Sequence, residues 1–172
     1  MDEHRVGLKP IVRRVWAKRG ERPVVTVHPR YEWTYLYGFV RPESGETSFW
    51  LCGQANTGAF DAILGGWARE RGLGANRRAL LVLDQAGWHV AADVVWPEGV
   101  EAVLLPPYSP ELMPAERLWS LTDEPLVNWA APSLAALEQR LGARCAALTE
   151  ERERIGSLTR FCWWPTLEPE TD

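Results

Sequence analysis

The strongest constraint on this chain is an apolar run that ends in an acid. Ala79-Leu80-Leu81-Val82-Leu83 closes in Asp84 and is followed by Gln85-Ala86-Gly87-Trp88-His89. A second apolar run at 100–105 leads into Pro106-Pro107-Tyr108-Ser109-Pro110-Glu111-Leu112-Met113-Pro114-Ala115-Glu116-Arg117-Leu118-Trp119. The prolines stiffen the exit from the strand and put Glu116 on the first turn of a helix. The order is therefore strand, acid, loop, strand, proline loop, then acid on a helix, with 31 residues between Asp84 and Glu116.

Carboxylates delivered by separate elements suit hard divalent cations. Magnesium and manganese take oxygen ligands, keep several waters, and are held by one or two carboxylates plus a substrate phosphate. Two such ions roughly 4 Å apart stabilise both the attacking and the leaving oxygen of an in-line phosphoryl displacement. A third acid, Asp2, stands in Met1-Asp2-Glu3-His4-Arg5, so the candidate set is Asp2, Asp84 and Glu116. Glu3 and Glu111 are the rival ligands; Glu111 falls five positions before Glu116, ahead of the helix, and is expected to point elsewhere. His89 could reach the scissile phosphate or a metal-bound water, but an orienting or core role is the commoner fate of such a histidine. His4 and His28 could meet phosphate or simply sit at the surface.

Taken in order, Asp2-Glu3-His4-Arg5-Val6-Gly7-Leu8-Lys9-Pro10, Arg14-Val15-Trp16-Ala17-Lys18-Arg19-Gly20, the Asp84 motif and the stretch from Leu105 to Trp119 resemble the catalytic domain of bacterial insertion-sequence transposases of the mariner superfamily. The resemblance runs nearly the whole chain, to Trp163-Trp164-Pro165, and implies a ribonuclease-H-like α/β fold over residues 1–165, with a disordered tail at 166–172. It further implies an Asp, Asp, Glu triad, here Asp2, Asp84 and Glu116, that binds two Mg2+ or Mn2+ ions, cuts DNA to free a 3′-hydroxyl and joins that end to target DNA. Transposon ends and target DNA are the implied partners; a shortened first strand, which would leave its neighbours' backbone groups unpaired, further predicts pairing with a second copy as a homodimer. Only Met1 precedes Asp2, so the strand expected to carry this acid is cut short, and the family's helix-turn-helix units are absent from these 172 residues. The spacing from Asp84 to Glu116 is slightly shorter than is common in the family, and a compact loop around Pro97-Glu98-Gly99 could absorb the difference. Two other readings are a non-catalytic transposase remnant that only binds DNA or a partner, and a glycosidase using a carboxylate pair without metal.

The net charge of −4 argues at first against a nucleic-acid partner, but its distribution does not. Residues 1–30 hold eight Lys or Arg (Arg5, Lys9, Arg13, Arg14, Lys18, Arg19, Arg22, Arg30) against three acids, a segment of +5 on a remainder of −9. Screening confines each charge to about 10 Å, so a local basic cluster can track phosphates on an acidic protein. Lys9, Arg13, Arg14, Lys18, Arg19 and Arg117 are the candidate DNA contacts; a solvated charged face is the bland alternative. Ten tryptophans could stack on unpaired bases, yet packing is the default for Trp16, Trp33, Trp67 and Trp119.

At 46% apolar content, 172 residues suffice for one core without disulfides or structural metal. Cys52, Cys145 and Cys162 are isolated and in no zinc spacing, as expected of reduced, mostly buried thiols. No uncharged apolar run is long enough for a membrane helix, and no signal peptide is visible; the expectation is a cytoplasmic, nucleoid-associated protein.

Local patterning fits an α/β chain. Val24-Val25-Thr26-Val27 is a β-branched run, and residues 33–40 form an aromatic strand apolar on both faces, hence central. Pro42-Glu43-Ser44-Gly45 turns it into a strand at 47–51. Asn56 or Thr57 caps a helix running to about Arg71, with Phe60, Ile63, Leu64 and Trp67 on one face. Ser133 caps another with Leu134, Leu137, Leu141, Cys145 and Leu148 on its core stripe. Residues 150–154 read as solvated helix or linker, and 161–165 as an apolar dock for the tail.

Overall fold

The computed structural model describes residues 1–24, 27, 30–162 and 164. Five strands and four α-helices make up the described regular structure: β1 (Asp2–Gly7), β2 (Trp33–Arg41), β3 (Glu46–Cys52), α1 (Thr57–Glu70), β4 (Ala79–Leu83), β5 (Val100–Leu104), α2 (Glu116–Thr122), α3 (Leu134–Leu148) and α4 (Arg152–Thr159). β1, β2 and β3 form an antiparallel sheet with β2 central; β4 and β5 pair in parallel. The Met1 nitrogen donates to the Val82 carbonyl (2.7 Å), so β4 flanks the start of β1 and links the two sheets at that point. The fold is the mixed α/β arrangement expected.

Period-two alternation on β2 divides the core in two. Leu36 joins Val6, Leu118, Leu121, Leu137, Leu141, Cys145, Leu148 and Ile155 beneath α2, α3 and α4. Tyr37 and Phe39 point the other way, into a second cluster with Phe60, Ile63, Leu64, Leu81 and Leu83 beneath α1. The sheet is thus covered on both faces, which is why residues 33–40 are apolar on both.

The helices start where side-chain chemistry directs them. Asn56 accepts from the Ala59 N–H and Ser133 from the Ala136 N–H, each satisfying an orphan donor of a first turn. Phe60, Ile63 and Leu64 are buried, and Trp67, partly covered, stacks on Phe39 with ring centroids 4.6 Å apart. Gly45, at φ +66°, lets the chain turn from β2 into β3.

Several expectations need correcting. Asp2 opens a six-residue strand, which local patterning did not mark, paired with β2 from Asp2 opposite Gly38 to Gly7 opposite Trp33. Asp2-Glu3-His4-Arg5 hid this strand because its polar residues mask the alternation that burial of Val6 and Leu8 would otherwise reveal. Val24 and Val27 lie in no strand; Val25 and Thr26 fall outside the described residues. Trp16 is fully exposed and Trp33 substantially so, not packed, because the long connection from β1 to β2 runs over the surface. The charged stretch at 150–154 leads directly into α4. Of the expected tail dock, Trp164 donates to Glu43, Cys162 is exposed, and Trp163 and Pro165 fall outside the described residues, as does the expected disordered tail at 166–172. Cys145 is buried and Cys52 half-buried; all three cysteines are free thiols.

Candidate active site

The alternation of β1 decides which acids can meet. Asp2 and His4 face α2, whereas Glu3, between them, faces the α1 side. Asp2 is buried, and its Oδ2 accepts from the Trp119 indole N–H at 2.8 Å. His4 stacks on the same indole (centroids 5.1 Å apart) and meets Asp123 at 2.9 Å. Room for the indole comes from Gly38, the β2 partner of Asp2: a Cβ there would lie 2.7 Å from the ring atom Cη2 of Trp119. A glycine inside a strand marks such a close approach.

Asp84 follows the last residue of β4 and stays half-exposed, with 52% of its side chain open to solvent. Its Oδ1 accepts twice, from the Ala86 N–H (3.0 Å) and from Nδ1 of His89 (2.8 Å). The next loop is tied alongside: the Leu105 N–H donates to the Leu83 carbonyl at 2.8 Å, and the Gln85 side chain donates to the Leu105 carbonyl at 2.9 Å. Glu116 is the first residue of α2 and is largely exposed.

Asp2 and Glu116 are both held above their ordinary values. Burial pushes the Asp2 carboxyl up to about 6, with the charges of Glu116 and Glu3 adding to the rise and the Trp119 hydrogen bond opposing it. Glu116 is also raised, by burial and by the charge of Asp84, against an opposing effect of His4. For His89, burial pulls downward, but the hydrogen bonds and charges of Glu3 and Asp84 outweigh it and the net direction is up.

These acids suit a hard divalent cation. All the donors are carboxylate oxygens; Trp119 occupies one oxygen of Asp2, and Ala86 with His89 one of Asp84, which leaves the second oxygen of each for a ligand role. Among the described residues no group of three or more His, Cys, Asp or Glu side chains stands together closely enough to hold a metal ion.

The rival acids separate cleanly. Glu3 is turned away from Asp2 and binds His89 Nε2 (2.9 Å) and the Trp88 indole N–H (3.3 Å); Glu111 lies in a turn of 3-10 helix, Pro110–Leu112, ahead of α2. Trp119 was legible only as a packing residue, and Gly38 not at all, although a glycine in so aromatic a strand was the available signal. Lys9, Arg13, Arg14, Lys18 and Arg19 are exposed on the β1–β2 connection, and among the described residues none of them forms an ion pair. That connection is tethered by Asn128, whose side chain accepts from the Arg13 N–H (3.0 Å) and donates to its carbonyl (3.1 Å). Arg117, beside Glu116, lies over the Phe161 ring at 5.3 Å. His28 lies outside the described residues. No helix of the described residues is long and apolar enough to cross a membrane.

Known proteins bear on this geometry at three levels. The family model described as DDE superfamily endonuclease matches residues 1–137. An uncharacterized protein, y4pE/y4sA of Sinorhizobium fredii (strain NBRC 101917 / NGR234), is 36% identical over 97 residues, covering 56% of this chain and 68% of that protein. Among solved structures, the Mos1 transposase paired-end complex with left transposon end matches with a TM-score of 0.59 at 17% identity, over 91% of this chain and 53% of that one. The Mos1 strand transfer complex matches with a TM-score of 0.58 at 17% identity, over 92% and 53%, and the Mos1 mariner paired end complex with Mn with 0.58 at 17%, over 93% and 55%. The likeness to Mos1 is one of fold, and this chain spans about half the length of those chains.

Proposed function

The chain belongs to the DDE superfamily endonucleases, and we propose that residues 1–165 are a transposase catalytic domain that cuts DNA at transposon ends and joins the freed 3′-hydroxyl to target DNA. Asp2, Asp84 and Glu116 would hold two Mg2+ or Mn2+ ions, Asp2 and Glu116 one each and Asp84 both. Such ions supply charge neutralisation at the phosphate and activation of the attacking oxygen. The chain's own part is to fix three carboxylates from β1, the exit of β4 and the start of α2. The hydrogen bond from the Met1 nitrogen to the Val82 carbonyl, which sets Asp2 beside the strand that leads into Asp84, is the observation that supports this best.

Lys9, Arg13, Arg14, Lys18 and Arg19 supply exposed cations for phosphate contact, and Arg117 another beside Glu116. The solved relatives are named as paired-end complexes, and by extension two copies of this chain would hold two DNA ends.

The deciding experiment is nicking of supercoiled DNA in manganese by the purified chain and by Asp84→Asn. Loss of about 10^3-fold or more is expected from the substitution. Equal nicking by both proteins would remove Asp84 from the chemistry, and no nicking by either would favour a DNA-binding remnant. In parallel, replacing Arg13, Arg14, Lys18 and Arg19 together by Ala should flatten the dependence of DNA binding on salt by up to about four units of slope, without reducing sequence preference.

A further inference from the structure

His89 joins the strand that carries one acid to the loop that carries another. Its side chain is fully buried, with Nδ1 2.8 Å from Asp84 Oδ1 and Nε2 2.9 Å from Glu3 Oε1. Glu3 is itself closed off, with 5% of its side chain exposed, and follows Asp2 directly on β1. The ring cannot easily drift: Phe60 packs on it at 4.7 Å between centroids, the Trp88 ring meets it edge-on at 5.9 Å, and the Trp88 N–H fixes the same Glu3 oxygen at 3.3 Å. A buried carboxylate, a buried imidazole and a half-exposed carboxylate thus form one connected line. Only its last member opens on the site.

Given the ligand role of Asp84 set out above, we infer that the line Glu3–His89–Asp84 is a strut that sets where the free oxygen of Asp84 stands relative to Asp2. Half of the Asp84 side chain is in water, and a single bond about Cβ would otherwise let its carboxylate rotate among rotamers. Two donors on Oδ1, the Ala86 N–H and His89, leave Oδ2 facing outward. Because Glu3 and Asp2 are consecutive on one rigid strand, anchoring His89 on Glu3 references Asp84 to the backbone that carries Asp2. His89 is in this sense a positioning residue: it touches neither substrate nor metal. Partners of this kind, one step behind a ligand, typically change metal affinity by about 10–100-fold when removed.

The two ring nitrogens allow a test that separates positioning from packing. Asn at 89 places an amide N–H where Nδ1 stands and keeps the bond to Asp84; Gln places it nearer Nε2 and keeps the bond to Glu3. Manganese binding to the full chain, followed by the electron paramagnetic resonance signal of free Mn2+, should weaken about tenfold in both His89→Gln and His89→Asn, since each breaks the line at one end. Thermal unfolding in EDTA reports packing separately and should fall comparably in both. If either variant binds manganese as wild type does, the strut is wrong. Should neither His89 variant fold, Glu3 decides: Glu3→Gln retains an acceptor for His89 and should bind manganese nearly normally, whereas Glu3→Ala should lose about tenfold. Equal affinity in that pair overturns the inference. Asp84→Asn serves as the reference: normal manganese binding in it overturns both the strut and the metal site, while a loss there with none in His89→Gln overturns the strut alone.

Discussion

Asp2 and Asp84, carried by neighbouring strands, are held by opposite means. Asp2 sits within a paired strand, buried, with the Trp119 indole N–H as a side-chain donor and a carboxyl pushed up to about 6. Asp84 lies just past a strand end, half in water, and its direction comes from a backbone N–H and a buried histidine. Burial fixes a carboxylate's position at the expense of its charge, whereas lashing in water fixes its direction and spares the charge. In the metal site proposed for this chain the two acids would be ligands of different kinds, the buried one rigid but proton-sensitive, the exposed one dependent on its neighbours for orientation.

The largest separation between the two should appear in stability against pH without metal. The folded protein holds the Asp2 proton more tightly than the unfolded chain, whose ordinary value is 3.8. This group therefore costs nothing below about pH 3.8, and its penalty grows as pH rises through 6, to about 3 kcal/mol at most. Asp2→Asn should be more stable than wild type at pH 7.5 by up to that amount, with the gain shrinking toward pH 4.5, when urea unfolding is compared in EDTA. Asp84→Asn should lie within about 0.5 kcal/mol of wild type at both pH values. Matching pH profiles for the two substitutions would erase the distinction.

Next in size is Trp119→Phe, which keeps a ring but removes the donor to Asp2 Oδ2. A buried carboxylate left without its partner costs about 1–3 kcal/mol, and the loss should be greater at pH 7.5 than at pH 4.5, where Asp2 is protonated. Urea midpoints at the two pH values check the sign. A pH-independent loss would mean that the indole serves Asp2 only by packing.

The smallest expected effect is that of Gly38→Ala. Its Cβ would overlap the Trp119 ring and push the indole from Asp2, at the lower end of the roughly 1–3 kcal/mol that overpacking costs. Combined with Trp119→Phe the two losses should fall short of their sum, since the second removes what the first collides with. Strict additivity in a double-mutant cycle would break the connection from Gly38 through Trp119 to Asp2.

Much of this architecture could be read from residue order, and what escaped did so for a physical reason. Central β2, the β4 and β5 runs and the caps at Asn56 and Ser133 are local patterns, and local patterns survive in sequence. β1 escaped because the residues that make it useful, Asp2, Glu3 and His4, are polar ones that break the apolar alternation by which strands are recognised. Glu3 was legible as an acid but not as an anchor. Its separation from Asp2 follows from a strand's period of two, and that strand was not visible. Trp119 and His89 were each read by type, as packing and orienting residues; their partners lie 117 and 86 positions away, beyond any local signal. The exposure of Trp16 was missed because composition cannot tell a core tryptophan from one on a surface connection.

The hydrogen atom that stands for a side chain at Gly38 also sets a rule of inheritance. Any lineage that acquires a methyl group or more at this position must lose the indole at 119 in the same step or before it, and must then find another donor for the acid at 2. Three positions far apart in the gene, 2, 38 and 119, are thereby bound to vary together. A collection of related sequences in which 38 and 119 change independently, each with the acid retained, would show that other solutions to seating the acid are within reach.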